Sequence, residues 1–215
     1  MLVNADFSLA VVITPCQYDW VASPQQGVER VMLDRVGAEQ ARATSIVRYA
    51  PGSFFPRHMH PGGEEILVLS GTFSDENSDF PAGWYLRNPP GSSHQPSSRE
   101  GAIIFVKLRQ MAEGDGQVVR IDTRSPSSWQ QQGGRAVCPL FTSAGEQVSL
   151  QRVVAGAPLF AAAIDGAELL VLEGELVVDG QVCTQGSWIR LPAGDYPTLN
   201  TGPSGAMFYL KTGHL

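Results

Sequence analysis

The sequence predicts an all-β protein built as two tandem barrels, and three observations carry that prediction. Apolar residues make up 43% of the chain, yet they fall in short runs broken by 23 Gly and 15 Pro, the punctuation of strands and turns rather than of long helices. The string Gly63-Glu64-Glu65-Ile66-Leu67-Val68-Leu69-Ser70-Gly71 returns 103 residues later as Gly166-Ala167-Glu168-Leu169-Leu170-Val171-Leu172-Glu173-Gly174, so one unit is written twice. The same shift carries Gly83, Pro89 and Gly91 onto Gly186, Pro192 and Gly194. A length of 215 residues accommodates two domains of about 100 residues, each with its own core.

Taken in order, residues 1–22 hold one apolar run, Phe7 to Ile13, and little other periodicity, and read as an N-terminal arm. The first barrel is expected over residues 23–111. Val28 to Leu33 and Ala43 to Tyr49 read as strands around a turn near Gly37, with a stop at Pro51-Gly52. Phe54 to His60 reads as the next strand, Pro61-Gly62-Gly63 as a tight turn, and Glu64 to Leu69 as the return. Asp75, Glu76 and Asp79 sit in a solvated hairpin tip, since the spacing of an EF-hand loop is absent. Trp84 to Asn88 is a strand, Pro89-Pro90-Gly91 turns it, His94 opens another, and Ile103 to Leu108 closes the unit. Residues 112–117 read as a linker, and 118–215 as the second barrel, with Val178-Asp179-Gly180-Gln181 as a two-residue hairpin turn. Trp20 near the start of the first unit is echoed by Trp129.

Three of the chain's four histidines lie between residues 52 and 94. Side chains alternate along a strand, so His58 and His60 share a face, and the short return places Glu64 beside them while Glu65 faces the opposite way. His94 follows on a strand that can point to the same interior. Three imidazoles and a carboxylate are a donor set for a borderline divalent metal, and His58, His60, Glu64 and His94 are the predicted ligands, with Phe54, Phe55, Ile66 and Phe105 as apolar surroundings. A histidine alone is more often a core or surface residue; the joint pattern decides here. His214, without partners in the sequence, takes the structural reading. Shifted by 103, the ligands become Ala161, Ala163, Ala167 and Pro197, so the second barrel is expected to bind no metal. Glu65, by contrast, keeps a counterpart in Glu168.

A formal charge of −6 with no local Lys/Arg cluster argues against a nucleic-acid partner. The apolar run at residues 7–13 is too short to span a membrane. Cys16, Cys138 and Cys183 show no paired spacing, which fits a reducing cytoplasm rather than a disulfide framework.

Gly52, His58, His60, Glu64 and Gly71 match the first cupin motif at every fixed position, and Gly83, Pro89, Gly91 and His94 match the second, whose final Asn is replaced by Ser98. Within cupins, Gly27 to Arg30, Leu33 to Gly37, Ser45 to Gly52, His60 to Leu69, Phe73 to Glu76 and Leu86 to His94 resemble the cupin-like domain of ChrR-type anti-sigma factors. The resemblance implies two cupin barrels of the double-stranded β-helix, or jelly-roll, type. It further implies a zinc-bearing sensory module serving an extracytoplasmic-function sigma factor in the response to oxidants, and a homodimer. The His-x3-Cys-x2-Cys element through which such regulators hold sigma has no counterpart in this sequence, so what carries over is the metal-binding cupin. The same ligands suit Fe, Mn or Ni with two open positions, the centre of a dioxygenase or isomerase for a small oxygenated substrate. Both function classes stay open at the level of sequence.

Overall fold

The fold is described from a computed structural model covering residues 1–38 and 40–215. The described residues form strands and two single 3₁₀ turns, Pro15–Gln17 and Pro126–Ser128, with no α-helix among them. None of them forms a helix long and apolar enough to cross a membrane. Contacts divide the chain into two compact units, Met1–Ala5 with Asp19–Arg124, and Asp6–Tyr18 with Ser125–Leu215.

In the first unit the main strands are β1 (Val28–Val36), β2 (Arg42–Tyr49), β3 (His58–His60), β4 (Glu64–Ser74), β5 (Trp84–Asn88), β6 (Ser92–His94), β7 (Ala102–Leu108) and β8 (Val119–Asp122). Six of them run antiparallel in the order β1-β2-β7-β4-β5-β8. The short strands β3 and β6 pair only with each other, His58 opposite His94 and His60 opposite Ser92. The second unit has β9 (Arg135–Thr142), β10 (Gln147–Val153), β11 (Ala167–Val178), β12 (Trp188–Leu191) and β13 (Asn200–Thr212), in the order β9-β10-β13-β11-β12. This is the first unit's order repeated, as the sequence repeat requires.

The segments outside the repeats take up positions that the sequence reading does not give. Val119–Asp122, read there as part of the second barrel, pairs with β5 of the first unit, and Val11–Ile13 of the arm pairs with β12 of the second. The reason is the same in both cases. An unpaired strand edge leaves a row of backbone N–H and C=O groups open, and a short β-forming segment covers it. The stretch read as a linker is also anchored, since Asp115 accepts hydrogen bonds from Arg87 at 2.6 and 3.1 Å.

Each unit closes on its own core. Ile66, Val68, Leu86 and Ile104 are at most 2% exposed in the first, and Leu169, Val171, Ile189 and Phe208 at most 1% in the second. Each such side chain contributes about 1.5–3 kcal/mol relative to leaving it in water. The copies also agree in detail. Gly71 and Gly174 both have φ +69°, and a Cβ at either would overlap the backbone carbonyl of Gly101 or Gly205. Arg48 stacks on Trp20 at 4.2 Å, and Arg152 on Trp129 at 4.5 Å. Of the cysteines, Cys138 and Cys183 are buried, Cys16 is exposed, and all are free.

Candidate metal centre

Alternation along β4 sorts the two neighbouring glutamates. Glu64 turns inward beside the histidines, whereas Glu65 turns to the other face of the sheet, where Arg87 Nη1 lies 3.3 Å from its Oε2. The second unit uses its counterpart in the same structural way. Glu168 accepts a hydrogen bond from Trp188 Nε1 at 2.7 Å and lies 3.1 Å from Nε2 of His214. His214 is therefore a buried structural partner.

His58 and His60 share a face, although their strand is only three residues long and the chain is irregular at residues 55–57. His94 ends β6 rather than opening a strand, and the ladder sets it directly across from His58. Ring centroids of the three imidazoles lie 4.7–5.2 Å apart. One ligand atom from each of His58, His60, Glu64 and His94 lies within 4.8 Å of all the others. An ion bonded to each donor at roughly 2.1 Å would need the four to draw closer together.

The chemistry of the donors fits an ion. Nε2 of His60 and both ring nitrogens of His94 are buried without a hydrogen-bond partner among the described residues. Unpaired buried polar atoms are costly and rare. Glu64 Oε2 approaches them at 3.5 and 3.3 Å without hydrogen-bond geometry. Burial, reinforced by the neighbouring His58, holds His60 down at about 4, and burial likewise depresses His94. Both rings are thus neutral near pH 7, the form that ligates.

Supporting residues fix the cluster, and sequence reasoning missed them. Asn88 Nδ2 donates to Glu64 Oε2 at 2.9 Å, and Arg120 Nη2 donates to Asn88 Oδ1 at 2.6 Å. The Nδ1 of His58 lies 2.9 Å from the Pro56 carbonyl, which leaves Nε2 for a ligand. Glu76, read from sequence as a solvated tip residue, accepts from Gln95 N at 2.8 Å and Arg57 Nη2 at 2.6 Å, and so ties together the residues flanking His94 and His58. Asn88 and Glu76 lay within stretches that carry the family resemblance, but nothing in the sequence marked either as a support of the site, and Arg120 gave no signal.

A cavity of about 430 Å³ opens on His58, His60 and Glu64. Its apolar walls come from Val47, Tyr49, Phe55, Ile104, Val106 and Leu108. Burial first, and then the Glu64 carboxylate, raises the Tyr49 phenol above its ordinary value, so it stays protonated. Of the expected apolar surroundings only Phe55 lines this space. Phe54 is 50% exposed, Ile66 is sealed in the core beneath, and Phe105, out of phase with Ile104 and Val106, faces the opposite side of β7. In the second unit Leu159, Leu191 and Leu199 are at most 2% exposed in the core, and no cluster of candidate ligands occurs among its described residues.

Comparison with known proteins adds the following. The ChrR cupin-like domain family matches residues 8–112. No curated protein matches the chain in sequence. Among solved structures it is similar to a candidate dioxygenase from Nostoc punctiforme, with a TM-score of 0.80 and 14% identity over 97% of this chain and 84% of the other. A candidate glyoxylate-induced protein from Pseudomonas aeruginosa gives 0.72 and 17%, over 98% and 92%. The pirin YhhW of Escherichia coli, solved with nickel(II), gives 0.66 and 12%, over 96% and 100%. At these identities the likeness is one of fold: the tandem double-barrel architecture.

Proposed function

Because the chain is a member of the cupin superfamily that resembles the ChrR cupin-like domain over residues 8–112, we propose that its first barrel is a sensory metal centre. In this reading His58, His60, Glu64 and His94 hold one divalent ion, zinc in the first instance. A small oxygenated molecule or oxidant enters by the adjoining cavity, and its arrival is the signal. The second barrel, lacking ligands, serves as scaffold. The partner that receives the signal is a sigma factor or a similar regulator in the cytoplasm, with the chain paired as a homodimer.

One observation carries the proposal: three imidazoles and a carboxylate, with orphaned buried nitrogens, converge beside a cavity on which His58, His60 and Glu64 open and which is large enough for a guest. A bound ion would act there as a Lewis acid toward an oxygen of the guest. The protein's own groups orient the ligands, exclude water through the apolar walls, and keep the Tyr49 phenol protonated beside the site.

The cavity also favours a second reading. A purely structural zinc site is closed by its four ligands, whereas a site that faces a guest suits Fe, Mn or Ni with open positions and a dioxygenase or isomerase activity. Metal analysis of protein purified without added metal, followed by oxygen uptake with β-diketones after iron reconstitution, separates the two. One equivalent of zinc and no uptake supports sensing; oxygen consumption with iron supports catalysis. If the double variant His58→Ala/His60→Ala retains wild-type metal content, both readings fail.

A further inference from the structure

The cavity beside the candidate metal centre is lined by Arg30, Arg35 and Arg109, while Glu64 is the one carboxylate among its described lining residues. Glu64 already accepts a hydrogen bond from Asn88 and belongs to the candidate ligand cluster. Among the described residues the three arginines thus line the cavity with no acidic counterpart of their own, and no ion pair joins any of them to a described residue.

Their positions follow from the strand registers. Arg30 lies opposite Val47 on β2, and a bulge between Met32 and Asp34 shifts the register so that Arg35, opposite Ala43, joins the same inner face. The row then continues from Ala43 to Leu108 on β7 and to Glu64 on β4. Three inter-strand steps of about 4.8 Å put about 14 Å of sheet between the Arg35 and Glu64 backbones. Apolar Val47, Ile104, Val106 and Leu108 fill the interval.

The guanidiniums differ in what they already hold. Arg35 donates to the Ala38 carbonyl, and Arg109 donates to Gln40 Oε1 at 2.9 Å. Arg30 has no such partner among the described residues, and its Nε is buried without an acceptor there. A guanidinium is a planar fork that matches a carboxylate in two parallel hydrogen bonds. An unanswered donor at the wall of an apolar cavity marks the place where an anionic group of a guest would be held.

Resting on the metal-centre reading above, we infer that the guest is a small organic carboxylate, anchored by Arg30 with Arg35 and Arg109 beside it, its apolar middle against Val47, Ile104 and Val106 and its oxygenated end toward His58, His60 and Glu64. Recognition thus has two ends: one set by the arginines, which needs no metal, and one set by the cluster, which does.

Calorimetric titration tests this with 4-acetylbenzoate, which carries a carboxylate and a carbonyl at opposite ends of an apolar ring, against its neutral methyl ester. Metal content is measured on every sample of the nickel-loaded 215-residue chain. The acid is expected to bind at least about tenfold more tightly than the ester, ~1.4 kcal/mol. Arg30→Gln should abolish that preference and Arg30→Lys should restore part of it, both at wild-type metal content. The acid–ester comparison on the unaltered chain holds even if a variant folds poorly. Equal binding of acid and ester, or no saturable binding of the acid up to about 10 mM, overturns the inference while leaving the metal reading intact. Preference for the acid in protein that takes up no metal supports it while sinking the metal reading.

Discussion

At the scale of single residues, the decisive contrast lies between two adjacent glutamates that alternation sends to opposite faces of one strand. Glu64 joins the histidines, and Glu65 answers the buried Arg87. Glu64→Ala is expected to drop zinc or nickel content well below one equivalent per chain. Glu65→Ala should keep metal content unchanged but lower unfolding free energy by about 2–4 kcal/mol; the loss is less than for a fully orphaned buried charge, because Asp115 still pairs with Arg87. Chemical denaturation and elemental analysis of both variants check the pair, and metal loss in the Glu65 variant would contradict the assignment. Asn88 belongs at this scale as well. Its amide fixes the Glu64 carboxylate at 2.9 Å, so Asn88→Ala should weaken metal affinity by about 10–100-fold in a competition titration with a chelator. The alternation behind the choice of Glu64 was legible in the sequence, whereas the hydrogen bond from Asn88, reaching across from β5, was not.

At the scale of elements, the β3–β6 ladder that carries His58 and His94 pairs with no other strand, and Glu76 fastens it from outside. The backbone N–H of Gln95 and then the Arg57 guanidinium hold the Glu76 carboxylate down at about 2. A carboxylate depressed in the folded state contributes stability that is fully present above its ordinary value near 4.5 and is lost as pH falls toward about 2. Glu76→Gln should therefore melt lower than wild type at pH 6, and the gap should narrow below pH 4.5 and be nearly gone by about pH 2. Thermal melts across that range test it, and a gap independent of pH would rule it out. A glycine within each long strand matters as well. Gly71 has φ +69°, and a Cβ would overlap Gly101 O, so Gly71→Ala should destabilise by at least about 1–3 kcal/mol. Gly174→Ala, at the matching position within β11, should cost a similar amount. Both glycines stood in the sequence at equivalent places of the repeat. That a distant carbonyl, of Gly101 or Gly205, presses on each was visible only in the folded structure.

For the whole molecule, the internal repeat is the most informative feature, because the second copy keeps the strand order and the turn glycines while alanines and a proline replace every ligand. Titration with zinc or nickel should saturate at one equivalent per chain, and a second site of comparable affinity would contradict the division of labour between the barrels. The repeat does not define the units completely. Val11–Ile13 and Val119–Asp122 attach to sheets that their sequence positions do not announce. Such short apolar segments have no periodicity long enough to name a partner, and only the available edge selects one.

The sequence by itself determined the all-β class, the twofold repeat and the four side chains that can meet at one point. All three rest on local rules: alternation along a strand, conformational demands at a turn, and the donor chemistry of imidazole and carboxylate. Only the tertiary structure decided what surrounds that point. A bulge between Met32 and Asp34 turns Arg35 inward, phase along β7 sends Ile104 rather than Phe105 to the cavity, and Asn88, Arg120 and Glu76 reach the site from separate segments. Register, bulges and edge pairing depend on contacts between residues far apart in the chain, and no local pattern encodes them.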